Sequence, residues 1–210
     1  MAIRRRFNDA VTGFWGFAAP VYDTDAVQRW VYRPAQDEMI ALLTAHASRR
    51  IADIGCGTGI LADRIQRELR PEAVYGVDLA DGMLAQAAQR SAAVQWRTAP
   101  AEKLPFDDGA LDAVVTTSAF HWFNQPAALR EFHRVLAPGG FAAVATLSPR
   151  QRFPLLQWVS ANQLNPSHSP DPAEMRAMFV DAGFAVDDQH RVQRPVWTPI
   201  SDLITVGRKD

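Results

Sequence analysis

The chain is almost without cysteine. Cys56 stands alone, which excludes an internal disulfide and a cysteine-built metal site. No apolar run reaches the length needed to cross a bilayer, and none follows the basic triplet Arg4–Arg6, which therefore reads as a solvated tail rather than a targeting signal. Net charge is nearly missing too: 22 Lys and Arg stand against 23 Asp and Glu, so no overall field favours nucleic acid or an anionic membrane. The 5 histidines are scattered and form no short-range ligand motif, so no metal is expected. These absences leave a cytoplasmic protein as the default; a monomer or homodimer is expected, with no residue pattern that chooses between them. What is present is apolar material: 48% of 210 residues are hydrophobic, enough for the core of one ordinary domain.

Apolar periodicity organises that material. Helices are expected at "AQDEMIALLTAH", "TGILADRIQREL", "DGMLAQAAQR", "QPAALREFHRVL" and "DPAEMRAMFVDAGF". The last has Pro172 near its first turn and Gly183 at its end. Strands are expected at "RRIADI", "AVYGVDL", "AVQWRT", "ALDAVVTT" and "FAAVATL", with "APGG" ending the helix before the fifth. Strands alternating with helices at this spacing predict βαβ crossovers and a mainly parallel sheet covered on both faces. "AVDDQHRVQRPVW" and "SDLITVGRK" read as two closing strands, antiparallel. Residues 1–34 form an aromatic N-terminal segment and residues 35–210 the core, within which residues 149–170 read as an insertion over the sheet.

The informative stretch is "DIGCGTG", after the first strand and at the entry to a helix. Open parallel sheets bind ligands beyond the carboxyl ends of their strands. Gly55 and Gly57 allow backbone torsions or close approaches denied to residues with a Cβ, and Gly59 lets the helix start tight against the sheet or a ligand. A P-loop would need Lys followed by Ser or Thr, whereas Ile60 follows Gly59. A dinucleotide-binding oxidoreductase using NAD is a closer rival, but its fingerprint wants Gly or Ala where Ile60 stands. Asp78, at the end of the second strand, offers a carboxylate for a ribose diol. Asp81 is a separate candidate to cap the next helix, which leaves Asp78 free of local duty. Asp53 falls where burial is expected and needs a partner there.

Taken in order, "IADIGCGTGILAD", "VYGVDLADGMLAQA", "AEKLPFDDGALDAVVTTSAFHWF", "EFHRVLAPGG" and "DAGF" resemble the class I S-adenosylmethionine-dependent methyltransferases. The kinship is with the small-molecule branch that contains ubiquinone/menaquinone and trans-aconitate methyltransferases. The resemblance covers about residues 35 to 147. It implies a Rossmann-like seven-stranded α/β sheet with an antiparallel last strand, and S-adenosyl-L-methionine as cofactor. It also implies a lid for residues 1–34 and a place over the acceptor site for residues 149–170. On that pattern Asp53, Gly55, Cys56, Gly57 and Gly59 hold the methionine end, and Asp78 holds the ribose. Leu79 and Met83 pack on adenine, Ala101 and Glu102 lie at its edge, and Ser118 lines the cleft. Pro100 replaces the carboxylate that many members place at the adenine turn, a change expected to weaken the site.

Methyl transfer to a hydroxyl or an acidic C–H needs a base, and His121 in "TTSAFHWF" is the candidate by place and type. Tyr22, Trp30, Tyr32, Trp122 and Trp158 are the candidate acceptor-binding residues, and their aromatic character suits an apolar or carboxylate-bearing acceptor methylated at oxygen or carbon. Cys56 reads as a small buried filler. A non-catalytic partner protein that kept the cofactor site is the other alternative.

Overall fold

The computed structural model describes residues 32–147, 168–192 and 202–210. The lid expected over 1–34 falls almost wholly outside them, as does most of the 149–170 insertion, and with them Tyr22, Trp30 and Trp158. The elements in chain order are α1 (Arg33–Ala45), β1 (Arg50–Ile54), α2 (Ile60–Leu69), β2 (Ala73–Asp78), α3 (Asp81–Arg90), β3 (Gln95–Thr98) and β4 (Leu111–Thr117). A short 3-10 turn (Phe120–Trp122) follows, then α4 (Gln125–Val135), β5 (Leu136–Leu147), α5 (Pro172–Asp181), β6 (Ala185–Arg191) and β7 (Asp202–Arg208).

The seven strands form one sheet in the order β3-β2-β1-β4-β5-β7-β6. Strands β1 to β5 pair in parallel, and β7 runs antiparallel to both its neighbours. Side chains alternate across the pleat, so each strand feeds two cores. Ala52, Ile54, Val77, Val114 and Val144 join Leu129, Phe132, Phe179 and Phe120 on one face. Ile51, Val74, Ala113, Val115 and Ala143 join Met39, Leu43, Leu61 and Ile65 on the other. The continuous apolar runs of the sequence thus mark strands buried on both sides.

Two expectations change. "APGG" does not end a helix in a loop: α4 stops at Val135, and Leu136–Leu147 is one extended strand. Leu136 already pairs with Leu111, and an irregularity between Leu111 and Ala113 absorbs the extra residues. Asp81 is not the cap of α3 either. Ala80 holds that position without a side-chain cap, and the Asp81 carboxylate accepts from the Thr98 hydroxyl at 3.0 Å. Helix α5, by contrast, is capped as its sequence suggests: the Asp171 carboxylate accepts from the Glu174 N–H at 2.9 Å, one turn in from Pro172.

Candidate cofactor and acceptor site

The carboxyl ends of β1, β2 and β4 bring the sequence candidates to one edge of the sheet. After β1 the chain turns through Gly55, Gly57 and Gly59, all in the left-handed region at φ of 70°, 55° and 78°. Their neighbours differ. A Cβ on Gly55 would meet the Ala119 Cβ at 2.5 Å, and one on Gly59 would meet the Trp96 ring at 2.4 Å. Those two glycines serve the packing of the loop against the protein itself. A Cβ on Gly57 meets nothing within 4 Å, so Gly57 is the position where bare main chain faces open space.

Trp96 is the site residue that sequence reading missed. Its indole covers Gly59 and Gly76 and donates to the Ser91 carbonyl at 2.9 Å. The signal was Gly76 itself, a glycine inside a buried strand and paired in register with Trp96. On the outer side of the loop, Arg90 at the end of α3 donates to the Thr58 carbonyl at 2.9 Å.

Asp78 is not free of local duty. Its Oδ2 accepts from the Gly57 N–H at 2.9 Å and its Oδ1 from the Ala80 N–H at 2.9 Å. The carboxylate therefore fastens the glycine loop to the β2–α3 turn, while a carboxylate's acceptor capacity leaves room for further donors. Burial raises its pKa against the lowering effect of those backbone bonds. Leu79 beside it is 41% exposed, whereas Met83 is buried against Ala80.

Asp53 is 2% exposed. It accepts a hydrogen bond from the backbone N–H of Ala62 in the first turn of α2, a helix whose own cap, Gly59, offers no side chain. The other oxygen, Oδ2, is buried with no hydrogen-bond partner. Burial, then the charge of Asp78, push this carboxyl up to about 7. Cys56 is half-buried rather than buried as expected; desolvation followed by the charges of Asp53 and Asp78 pushes its thiol well up, which disfavours a thiolate.

The acceptor side is built after β4. Ser118 sits in the left-handed region at φ 55° and donates its N–H to the Ala145 carbonyl at 3.0 Å, which turns the chain into the 3-10 turn. His121 in that turn is buried, its ring 4.9 Å from that of half-buried Trp122. Its Nδ1 has no partner, and burial lowers its pKa to about 4. Gln125 steadies the turn: its Nε2 donates to the carbonyls of Phe120 at 3.3 Å and His168 at 2.7 Å, while the His168 N–H donates to the His121 carbonyl. Ala101 is buried. Glu102, expected at the adenine edge, accepts from the Asn124 N–H at 2.6 Å and so ties that edge to the start of α4. Tyr32 is half-buried at the entry to α1.

These features fit a nucleoside ligand with a cationic amino-acid tail. A buried carboxylate oxygen lacks a partner, one stretch of main chain is open, and a strand-end carboxylate keeps acceptor capacity.

Comparison with known proteins narrows the ligand. The family model described as "Methyltransferase domain" matches residues 52–144. The malonyl-(acyl-carrier protein) O-methyltransferase of Laribacter hongkongensis is 35% identical, over 90% of this chain and 70% of its own. The enzyme of the same name from Serratia marcescens is 35% identical, over 66% of this chain and 53% of its own. The chain thus spans about half the length of several of these relatives. Among solved structures, the cyclase SpnF superposes with a TM-score of 0.73 at 19% identity, covering 95% of this chain and 94% of that one. The geranyl diphosphate C-methyltransferase of Streptomyces coelicolor gives 0.68 at 15% identity, over 83% and 81%. At such identities the structures share the fold, and folds host many chemistries. The sequence relatives carry the assignment: the chain belongs to the class I S-adenosylmethionine-dependent methyltransferases.

Proposed function

We propose that this protein transfers the methyl group of S-adenosylmethionine to an oxygen of a free carboxylate on a small acyl acceptor. The burial of His121, with its Nδ1 left without a partner, carries the choice of acceptor. His121, the best-placed base, is buried and its pKa is lowered to about 4, so at neutral pH it is a weak proton acceptor. A carboxylate arrives already ionised and needs no base, unlike a hydroxyl or an acidic C–H. The relatives' names agree, since a malonyl group held through one end presents a free carboxylate at the other.

When bound, the cofactor supplies an electrophilic methyl on a sulfonium. The protein's part is then alignment and exclusion of water. Asp78 takes the ribose hydroxyls with its remaining acceptor capacity while it holds Gly57 in place. Gly57 offers bare main chain to the amino-acid tail, with Asp53 beneath it. Gly55, Cys56 and Gly59 keep the loop in shape. Met83, Leu79 and Ala101 bound the adenine, and Glu102 fixes the position of that edge. Ser118, His121 and Trp122 shape the acceptor wall.

The test is mass spectrometry of products after incubation with S-adenosylmethionine and malonyl thioesters, on coenzyme A or on an acyl-carrier protein, beside hydroxyl and amine acceptors. A methyl ester on the carboxylate is expected. His121→Gln should keep transfer within a few-fold, because no proton has to be removed. A loss of about a hundredfold or more would assign His121 as a general base and move the acceptor to a hydroxyl or C–H. Cofactor binding without turnover on any acceptor would favour the non-catalytic reading.

A further inference from the structure

Asp53 is a buried acid at the carboxyl edge of the sheet, and its Oδ2 has no hydrogen-bond partner. Among the described residues its surroundings offer no cation. On β2 its near charge is Asp78, an anion already fastened by two N–H groups. In the loop it is Cys56, whose thiol stays protonated. On α2 it meets the Ala62 N–H, while the charged neighbours there are engaged elsewhere: Asp63 with Arg67, and Arg64 with Gln36, Asp37 and Glu68. Its register partners are Gly76 on β2 and Val115 on β4, both uncharged. Arg90 is turned to the Thr58 carbonyl. A full negative charge in such a place is strongly disfavoured unless a cation arrives.

We infer that Asp53 is a proton-exchanging counter-charge: it holds a proton in the free site and releases it to solvent when a cationic nucleoside ligand binds. The O–H bond breaks, the electron pair stays on the carboxylate, and the positive charge of the ligand replaces that of the proton. The inference rests on the cofactor reading above and adds a consequence to it. The sulfonium substrate carries one positive charge more than the thioether product, so the two draw different proton release from one site. Loss of the sulfonium charge on methyl transfer then favours recapture of the proton by Asp53, so the product leaves a site that is already more protonated. The carboxyl value of about 7 places this exchange within the neutral range.

The experiment is titration calorimetry of the protein with S-adenosylmethionine, and separately with S-adenosylhomocysteine, at pH 7 in phosphate and in Tris, whose ionisation heats differ. The expected result is buffer-dependent heat equivalent to about half a proton released for the sulfonium ligand, given a carboxyl titrating near 7, and less for the thioether. Any proton exchanged by the ligand's own α-amino group is common to wild type and Asp53→Asn and cancels in their difference. Asp53→Asn should bind with no such release. A second measurement needs no variant: wild-type affinity for S-adenosylmethionine should tighten as pH rises from about 6 to 8. Heats that do not depend on buffer, an affinity flat across that range, or unchanged release in Asp53→Asn would each overturn the inference. Absence of binding by either ligand to wild type would instead overturn the cofactor reading, and this inference with it.

Discussion

At the scale of single residues, Asp78 joins two tasks. It anchors Gly57 and Ala80 through backbone hydrogen bonds, so Asp78→Ala removes acceptors as well as a ligand contact. Cofactor affinity should fall roughly tenfold or more, and folding stability by about 1–3 kcal/mol, since two N–H groups lose their partner. Calorimetry and urea unfolding measure the two losses separately. The glycines divide in the same way. Gly59→Ala meets the Trp96 ring as well as backbone strain and should lower the melting temperature more than Gly57→Ala. For Gly57→Ala the folding cost is that of a left-handed residue alone, about 1–2 kcal/mol. Its larger effect should be on cofactor affinity. Equal effects on both properties would remove the distinction.

The sequence could show three glycines in a row of alternates. It could not show which of them faced a ligand, because that depends on Ala119, Phe123 and Trp96 arriving from elsewhere. Nor could it show that Asp78 fastens the loop. The carboxylate's place at a strand end is local information, whereas its bond to Gly57 spans 21 residues. Glu102 illustrates the same limit: the residue was visible, and its partner Asn124 was set by how α4 packs.

Among elements, the first helix is joined to the far edge of the sheet by an imidazole. His190 on β6 contacts Glu38 of α1 through Nε2 and Asp188 through Nδ1, the latter at 2.7 Å. Both ring nitrogens can donate only when the ring is protonated. Partial burial lowers its pKa, but the hydrogen bonds and charges of the two acids outweigh this and the net shift is upward. The sign follows: a raised pKa stabilises fully below the unfolded value near 6.5 and loses that contribution as pH rises through the folded value. Thermal unfolding should therefore show wild type losing its advantage over His190→Gln between about pH 6 and 8. A constant difference across that window would mean that the contact carries no linked proton.

Helix positions were read from apolar spacing with little error, because each helix buries one stripe. The β5 boundary was not, since Leu136 joins the sheet opposite Leu111 and "APGG" lies in the irregularity before Phe141.

For the whole molecule, the alternation of strands and helices in the sequence was enough to predict a parallel α/β sheet, and the antiparallel closing pair was read from its own segments before the resemblance implied the same. Strand order was beyond reach, as it depends on crossovers that leave no local trace. Stability rests on two cores separated by the sheet. Phe132 of α4 is fully buried in one of them, and Phe132→Ala should cost about 3–5 kcal/mol in urea unfolding without altering the loop at the carboxyl edge. A much smaller value would show that this face collapses around the cavity.

The insertion of β7 between β5 and β6 bears on how the protein comes into being. Strand β6 is made before β7 yet touches the rest of the sheet only through it. On a chain emerging from the ribosome, β5 keeps one flank uncovered and β6 waits without a neighbour until Arg208 has cleared the exit. Completion of the sheet thus waits for β7, and until then the β5 flank is open to a chaperone or a stray strand.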